Sequence, residues 1–180
     1  MVGFHNCLNA LAAIAISLDF NISTDIIKKG LKEFKGIKRR FSIELTEPVI
    51  YIDDYAHHPS EINSVYKALF DLFPEKKKFA IFQPHLYSRT RDFMDDFAIS
   101  LSNFDKVALL DIYPAREKSI PGISSKKLLE KIEVVDKSLI DEKGIINILN
   151  QNDCEVVVTM GAGDIGNLVK KIKKEIKVEI

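Results

Sequence analysis

The chain has 180 residues, 46% hydrophobic and 29% charged, room for one full domain plus an appendage of ordinary globular composition. Lysine plus arginine matches aspartate plus glutamate, 26 against 26. The basic excess that displaces counterions is therefore missing, and no nucleic-acid partner is expected. No apolar run reaches the ~20 residues that span a bilayer, and the apolar N-terminal stretch lacks a basic leader and cleavage site, so no membrane is expected and the setting reads as cytoplasmic.

In chain order, residues 6–18 read as a buried helix, rich in alanine and free of proline and glycine. Residues 23–34 read as a second helix, capped by Ser23 or Thr24, with Ile26, Ile27, Leu31 and Phe34 as its apolar stripe and Gly36 as its end. Residues 36–41 are basic and aperiodic, as in a linker. Strands are expected at 49–52, 79–82, 107–112 and 156–160, with a short one at Val134 and Val135. Helices are expected at 59–73, with Pro59 in the first turn and Glu61 near the N-terminus, and at 92–101, 124–132, 141–150 and 164–176. Strands alternating with helices predict βαβ units, and continuously apolar strands predict a sheet covered on both faces. The fold class is α/β: a doubly wound, mostly parallel sheet from about residue 41 onward, preceded by two helices. The two cysteines, Cys7 and Cys154, fall in apolar segments and are expected as buried thiols.

Ligands of open parallel sheets bind beyond the carboxyl ends of the strands, and the unusual polar residues concentrate there. Asp53-Asp54-Tyr55-Ala56-His57-His58-Pro59 follows one strand and Gln83-Pro84-His85-Leu86-Tyr87-Ser88-Arg89-Thr90-Arg91 the next. The loop from Asp111 to Lys118 and the turn Gly161-Ala162-Gly163-Asp164 complete the set. Each has a plain alternative. The histidines and carboxylates suggest a metal, but adjacent His57 and His58 are poorly spaced to share one ion, and no metal site is assigned. Arg89 and Arg91 could simply pair with Asp92, Asp95 or Asp96. Gly161-Ala162-Gly163 could be a tight turn or could present N–H groups to an anion. Gly166 is discounted as the third glycine of a dinucleotide fingerprint.

Seven strings in order carry a resemblance: Gly3-Phe4-His5-Asn6-Cys7-Leu8-Asn9-Ala10, Arg39-Arg40-Phe41, the Asp53 to Pro59 run, Gln83-Pro84-His85, Ser88-Arg89-Thr90-Arg91-Asp92, Tyr113-Pro114-Ala115-Arg116-Glu117-Lys118 and Gly161-Ala162-Gly163-Asp164-Ile165. Together they resemble the Mur ligase family over nearly the whole chain. The resemblance implies three domains in the full-length enzyme. Residues 1–38 would be the helical end of the central ATP-binding domain and residues 39–180 the Rossmann-like C-terminal domain. The N-terminal and central domains would be missing from this chain, in which no GxxxxGK[ST] phosphate loop occurs. It also implies an ATP- and Mg2+-dependent ligation of L-alanine to UDP-N-acetylmuramate in cell-wall peptidoglycan synthesis, with this portion inactive alone and holding no tightly bound cofactor. The Tyr113 to Lys118 string favours that reaction over the related murein-peptide ligation. A free-standing nucleotide-binding module on the same fold and a metal-dependent hydrolase are the other readings.

By the same resemblance Asn6 and Asn9 would contact adenine and Asp54 the ribose hydroxyls. Arg40 would approach the ATP phosphates and act catalytically by neutralising developing charge. Tyr55, His57, His85 and Arg89 would line the amino-acid side, with Arg89 pairing the substrate carboxylate. Leu86 stands where some members carry a further arginine. Arg91, Arg116 and Lys118 receive no role.

Overall fold

The structure, a computed structural model, describes residues 3–150 and 155–176. Two helices lead, α1 (Phe4–Asp19) and α2 (Thr24–Glu33). A six-stranded sheet follows, built from β1 (Ser42–Leu45), β2 (Ile50–Asp54), β3 (Lys78–Phe82), β4 (Lys106–Leu109), β5 (Asp136–Leu139) and β6 (Val156–Met160). Its order is β1-β2-β6-β3-β4-β5, with β1 antiparallel to β2 and every other pair parallel. The connecting helices are α3 (Pro59–Leu72), α4 (Tyr87–Asp92), α5 (Met94–Leu101), α6 (Ser125–Lys131), α7 (Glu142–Asn150) and α8 (Ile165–Ile176).

Side-chain alternation along the strands feeds two cores. Ile52, Ala80, Phe82, Val107 and Val158 face α3, α5 and α6, where Ile62, Leu69, Phe97, Leu101 and Leu128 are buried. Tyr51, Phe79, Ile81, Ala108 and Val157 face α7 and α8, where Ile145, Leu149, Ile165 and Ile172 are buried. This is the doubly wound arrangement that the apolar strands predict. It brings the carboxyl ends of β2, β6, β3 and β4 to one edge, where the polar loops gather.

Several expectations change. No described side chain of α1 is buried, and Leu8, Leu11 and Ile16 are all more than half exposed. The apolar composition of this helix therefore does not mean burial within the chain, because only α2 packs against it to any extent. Cys7 is exposed for the same reason, and Cys154 lies outside the described residues. The β1 edge strand was not expected, since four residues of weak alternation carry little signal and its pairing partner lies elsewhere in the chain. The strand expected at Val134 and Val135 lies instead at Asp136–Leu139. Val134 is buried beneath it while Val135 is fully exposed. Backbone pairing to β4, not hydrophobicity, defines this edge strand. The helix expected at 92–101 is α5, which starts two residues later, and the short α4 before it, ending at Asp92, was not expected. No helix among the described residues is long and apolar enough to cross a membrane.

Candidate functional site

The first loop is fixed by its own acids. Asp54 is buried, and its two carboxylate oxygens accept from the Phe41 and Ala56 N–H groups at 2.7 Å each. Burial pushes its carboxyl above the usual range, while those two bonds pull the other way. Asp54 thereby ties the end of the basic linker to the end of β2. His58 caps α3 with its ring, and Glu61 closes a capping box by accepting from the His57 and His58 N–H groups. Glu61 also meets Arg40 at 3.7 Å and the His57 ring at 3.3 Å. The sequence signal for this cap, Pro59 followed by Glu61, was legible. The consequence for Arg40 was not.

Asn6, Asn9, Arg40 and Asp54 line one cleft of about 720 Å³, between the leading helices and the start of the sheet. Phe34, Phe41 and Val65 add apolar wall and Lys35 and Glu61 add charge, so the cleft offers amides and charges of both signs beside apolar surface. Asn6 and Asn9 stand one helical turn apart, with the Asn9 amide 3.5 Å from the Asn6 carbonyl oxygen.

The other four residues gather across Arg40. The Tyr55 and His57 rings meet edge to face at 5.2 Å, and His57 faces His85 at 6.2 Å. His85 stacks on Tyr113 at 5.6 Å. Arg40 lies over the Tyr55 ring at 5.7 Å, so Tyr55 stands between the two groups. His85 Nδ1 and Arg89 Nη1 are both buried without a hydrogen-bond partner. Burial, then the neighbouring Arg89 and His57, hold the His85 imidazole below its ordinary value, with Glu117 opposing. Arg91 pairs with Asp92 at 2.7 Å, the surface pairing considered for it, and Asp95 pairs with Lys131. Arg89 joins no ion pair among the described residues. A guanidinium with a buried nitrogen left without a partner, at the carboxyl edge of a parallel sheet, is suited to a carboxylate. Among the described residues no three histidine, cysteine or acidic side chains converge to hold a metal ion.

Arg39 is the residue that sequence reading passed over. Its Nε donates to Asp53 at 2.9 Å and its Nη2 to the Gly161 carbonyl at 2.6 Å, and it also underlies the Tyr55 ring at 5.1 Å. Asp53 further accepts from Thr159, whose hydroxyl meets that of Tyr51. The only sequence signal was the Arg39-Arg40 doublet. The glycine turn also needs correction. Gly161, Gly163 and Gly166 do have G-x-G-x-x-G spacing, so Gly166 cannot be discounted on that ground. Geometry explains them instead. A Cβ on Gly163 would lie 2.5 Å from Gln83 Oε1 and 2.6 Å from the Tyr113 ring, and one on Gly166 would lie 2.4 Å from the Arg39 guanidinium. These glycines are therefore explained by the close approach of Gln83, Tyr113 and Arg39 to the backbone.

The fold and this edge define an α/β domain of the doubly wound class, and residues 39–163 match the family described as Mur ligase, glutamate ligase domain. The chain belongs to that family. Among curated proteins it is similar to UDP-N-acetylmuramate–L-alanine ligase of Flavobacterium psychrophilum, 54% identical over 97% of this chain and 39% of that one. The enzyme of the same name from Cytophaga hutchinsonii is 45% identical over 96% of this chain and 37% of its own length. Among solved structures, UDP-N-acetylmuramate–alanine ligase from Thermotoga maritima superposes with a TM-score of 0.79 at 26% identity, over all of this chain and 39% of that one. A murein peptide ligase from Psychrobacter arcticus shares the fold, with a TM-score of 0.68 at 21% identity, over all of this chain and 38% of its own. The chain thus spans about two fifths of the length of the curated relatives it matches.

Proposed function

We propose that this chain is the adenosine- and amino-acid-contacting portion of an ATP-dependent ligase that joins L-alanine to UDP-N-acetylmuramate in peptidoglycan synthesis. Residues 1–38 then belong with the preceding nucleotide-binding domain and residues 39–180 form the C-terminal domain. The phosphate loop and the Mg2+ ligands lie in the portion of the full-length enzyme outside this chain, and its setting is cytoplasmic. In the reaction, the muramate carboxylate takes the terminal phosphoryl group of ATP, releasing ADP. The L-alanine amine then attacks the acyl carbon, forming the amide and releasing phosphate.

The observation that carries this reading is the unpaired, partly buried Arg89 beside His85. It meets the substrate carboxylate with two parallel hydrogen bonds, and Tyr55, His57 and His85 wall the same space. Arg40, held by Glu61 between cleft and cluster, faces the charge that develops on the transferred phosphoryl group. Asn6 and Asn9 read the adenine edge. Asp54 retains acceptor capacity for the ribose hydroxyls beyond its two backbone bonds.

The test is phosphate release by the full-length enzyme with ATP and UDP-N-acetylmuramate, with L-alanine or the murein tripeptide as amine. Release that depends on L-alanine supports the proposal. Preference for the tripeptide points to the murein-peptide reaction, and no release with either contradicts both. The 180-residue chain alone should release none.

A further inference from the structure

We infer that Glu117 is a positioning residue, which through Ser88 fixes the short helix that aims Arg89 at the amino-acid carboxylate. The inference rests on the ligase reading above and adds a residue that neither the cleft nor the ring cluster contains.

The loop after β4 runs beside the loop after β3 and extends their pairing past the strands. Tyr113 N–H donates to the Pro84 carbonyl at 2.8 Å, and Leu86 N–H to the Tyr113 carbonyl at 2.9 Å. His85 and Tyr113 form an isolated parallel bridge with stacked rings. The chain then reverses at Ala115, in the left-handed region at φ 52°, and Glu117 N–H closes the turn on the Pro114 carbonyl. This returns the Glu117 carboxylate to the first turn of α4. One oxygen accepts from Ser88 N–H at 2.9 Å and the other from Ser88 Oγ at 2.5 Å.

That helix needs such a partner. It has six residues, too few to be stable by itself, and its N-cap is Leu86, at φ 73° with no side-chain acceptor. The orphan N–H groups of its first turn call for an acceptor, and a carboxylate there is favoured by the helix dipole. Glu117 supplies it from 29 residues away. The Ser88 hydroxyl and N–H in turn hold Glu117 below the usual carboxylate range. Arg89 is the next residue. Among the described residues Glu117 hydrogen-bonds Ser88 and makes no ion pair with Arg89, so it holds the helix while Arg89 Nη1 stays without a partner.

The test is a double-mutant cycle in the full-length enzyme. Glu117→Ala should raise the KM for L-alanine by roughly 3- to 10-fold, the size of one hydrogen bond, with the KM for ATP unchanged. Glu117→Gln keeps an acceptor for Ser88 and should recover part of the loss. In an Arg89→Ala background, Glu117→Ala should add nothing, because its effect passes through Arg89. Should the alanine variant fail to fold, the glutamine variant and Ser88→Ala, each with and without Arg89→Ala, give the same cycle. A full penalty in the Arg89→Ala background, or a lower Tm with normal alanine saturation, overturns the inference. Wild-type enzyme that does not use L-alanine at all would instead refute the ligase reading, so the two failures are distinct.

Discussion

Arg39 and Asp53 form an ion pair of 2.9 Å in which the carboxylate is 1% exposed and the guanidinium 24%. Through it the residue before Arg40 is bolted to β2, and through the Gly161 carbonyl to the end of β6. Arg40 therefore stands on a fixed base, and that is how a linker residue reaches the cleft in a defined place.

Removing one partner of this pair strands the other. Asp53→Asn should destabilise the chain by about 1–3 kcal/mol, since the partly exposed Arg39 guanidinium and the buried Thr159 hydroxyl lose their charged acceptor. Urea denaturation of the purified chain measures it. Arg39 being partly exposed, Arg39→Met should cost less. Equal stability of wild type and Asp53→Asn would show that the pair is idle.

Gly163→Ala should be destabilising by about 1–3 kcal/mol, because its Cβ lands on Tyr113 and Gln83, which the fold holds in place. Thermal unfolding reads this directly. Gly30→Ala is the internal control. Its Cβ meets open space within a helix, so it should be neutral or slightly stabilising.

The cleft is separable from the ring cluster. Asn9→Ala in the full-length enzyme should raise the KM for ATP several-fold, roughly the worth of one hydrogen bond, and leave the KM for L-alanine unchanged. A change in alanine saturation without one in ATP would reverse the assignment of the two groups.

The pH dependence of stability carries the mark of His85. Its folded pKa lies below the ordinary 6.5, so in the interval beneath 6.5 the unfolded chain binds a proton that the folded chain does not. Stability should fall as pH drops through that interval. His85→Gln should lessen the slope relative to wild type, as followed by denaturant midpoints between about pH 7 and 5. An unchanged slope would mean that His85 titrates normally.

Much of this fold was legible because its strands are continuously apolar and its helices carry period and punctuation. Pro59 and Glu61 announced α3, and Val156 to Met160 could be little but a central strand. What escaped was decided by distant partners. β1 is a strand because β2 accepts it, β5 because β4 does, and α4 is a helix because Glu117 caps it. The site divides in the same way. The polar loops after the strands placed Tyr55, His57, His85 and Arg89 at one edge. Only the folded chain shows that Arg39 is structural, that Arg91 is occupied by Asp92 while Arg89 joins no ion pair among the described residues, and that no described side chain of α1 is buried.

The central claim is that Arg89 receives the carboxylate of L-alanine, and steady-state kinetics of Arg89→Lys in the full-length enzyme test it most directly. Lysine keeps the charge but loses the planar fork. A hydrogen bond to a charged group contributes about 1.5–3 kcal/mol, so the KM for L-alanine should rise roughly 10- to 150-fold, with the KM for ATP nearly unchanged. Alanine saturation that is untouched, or ATP affinity that falls in its place, would contradict the account.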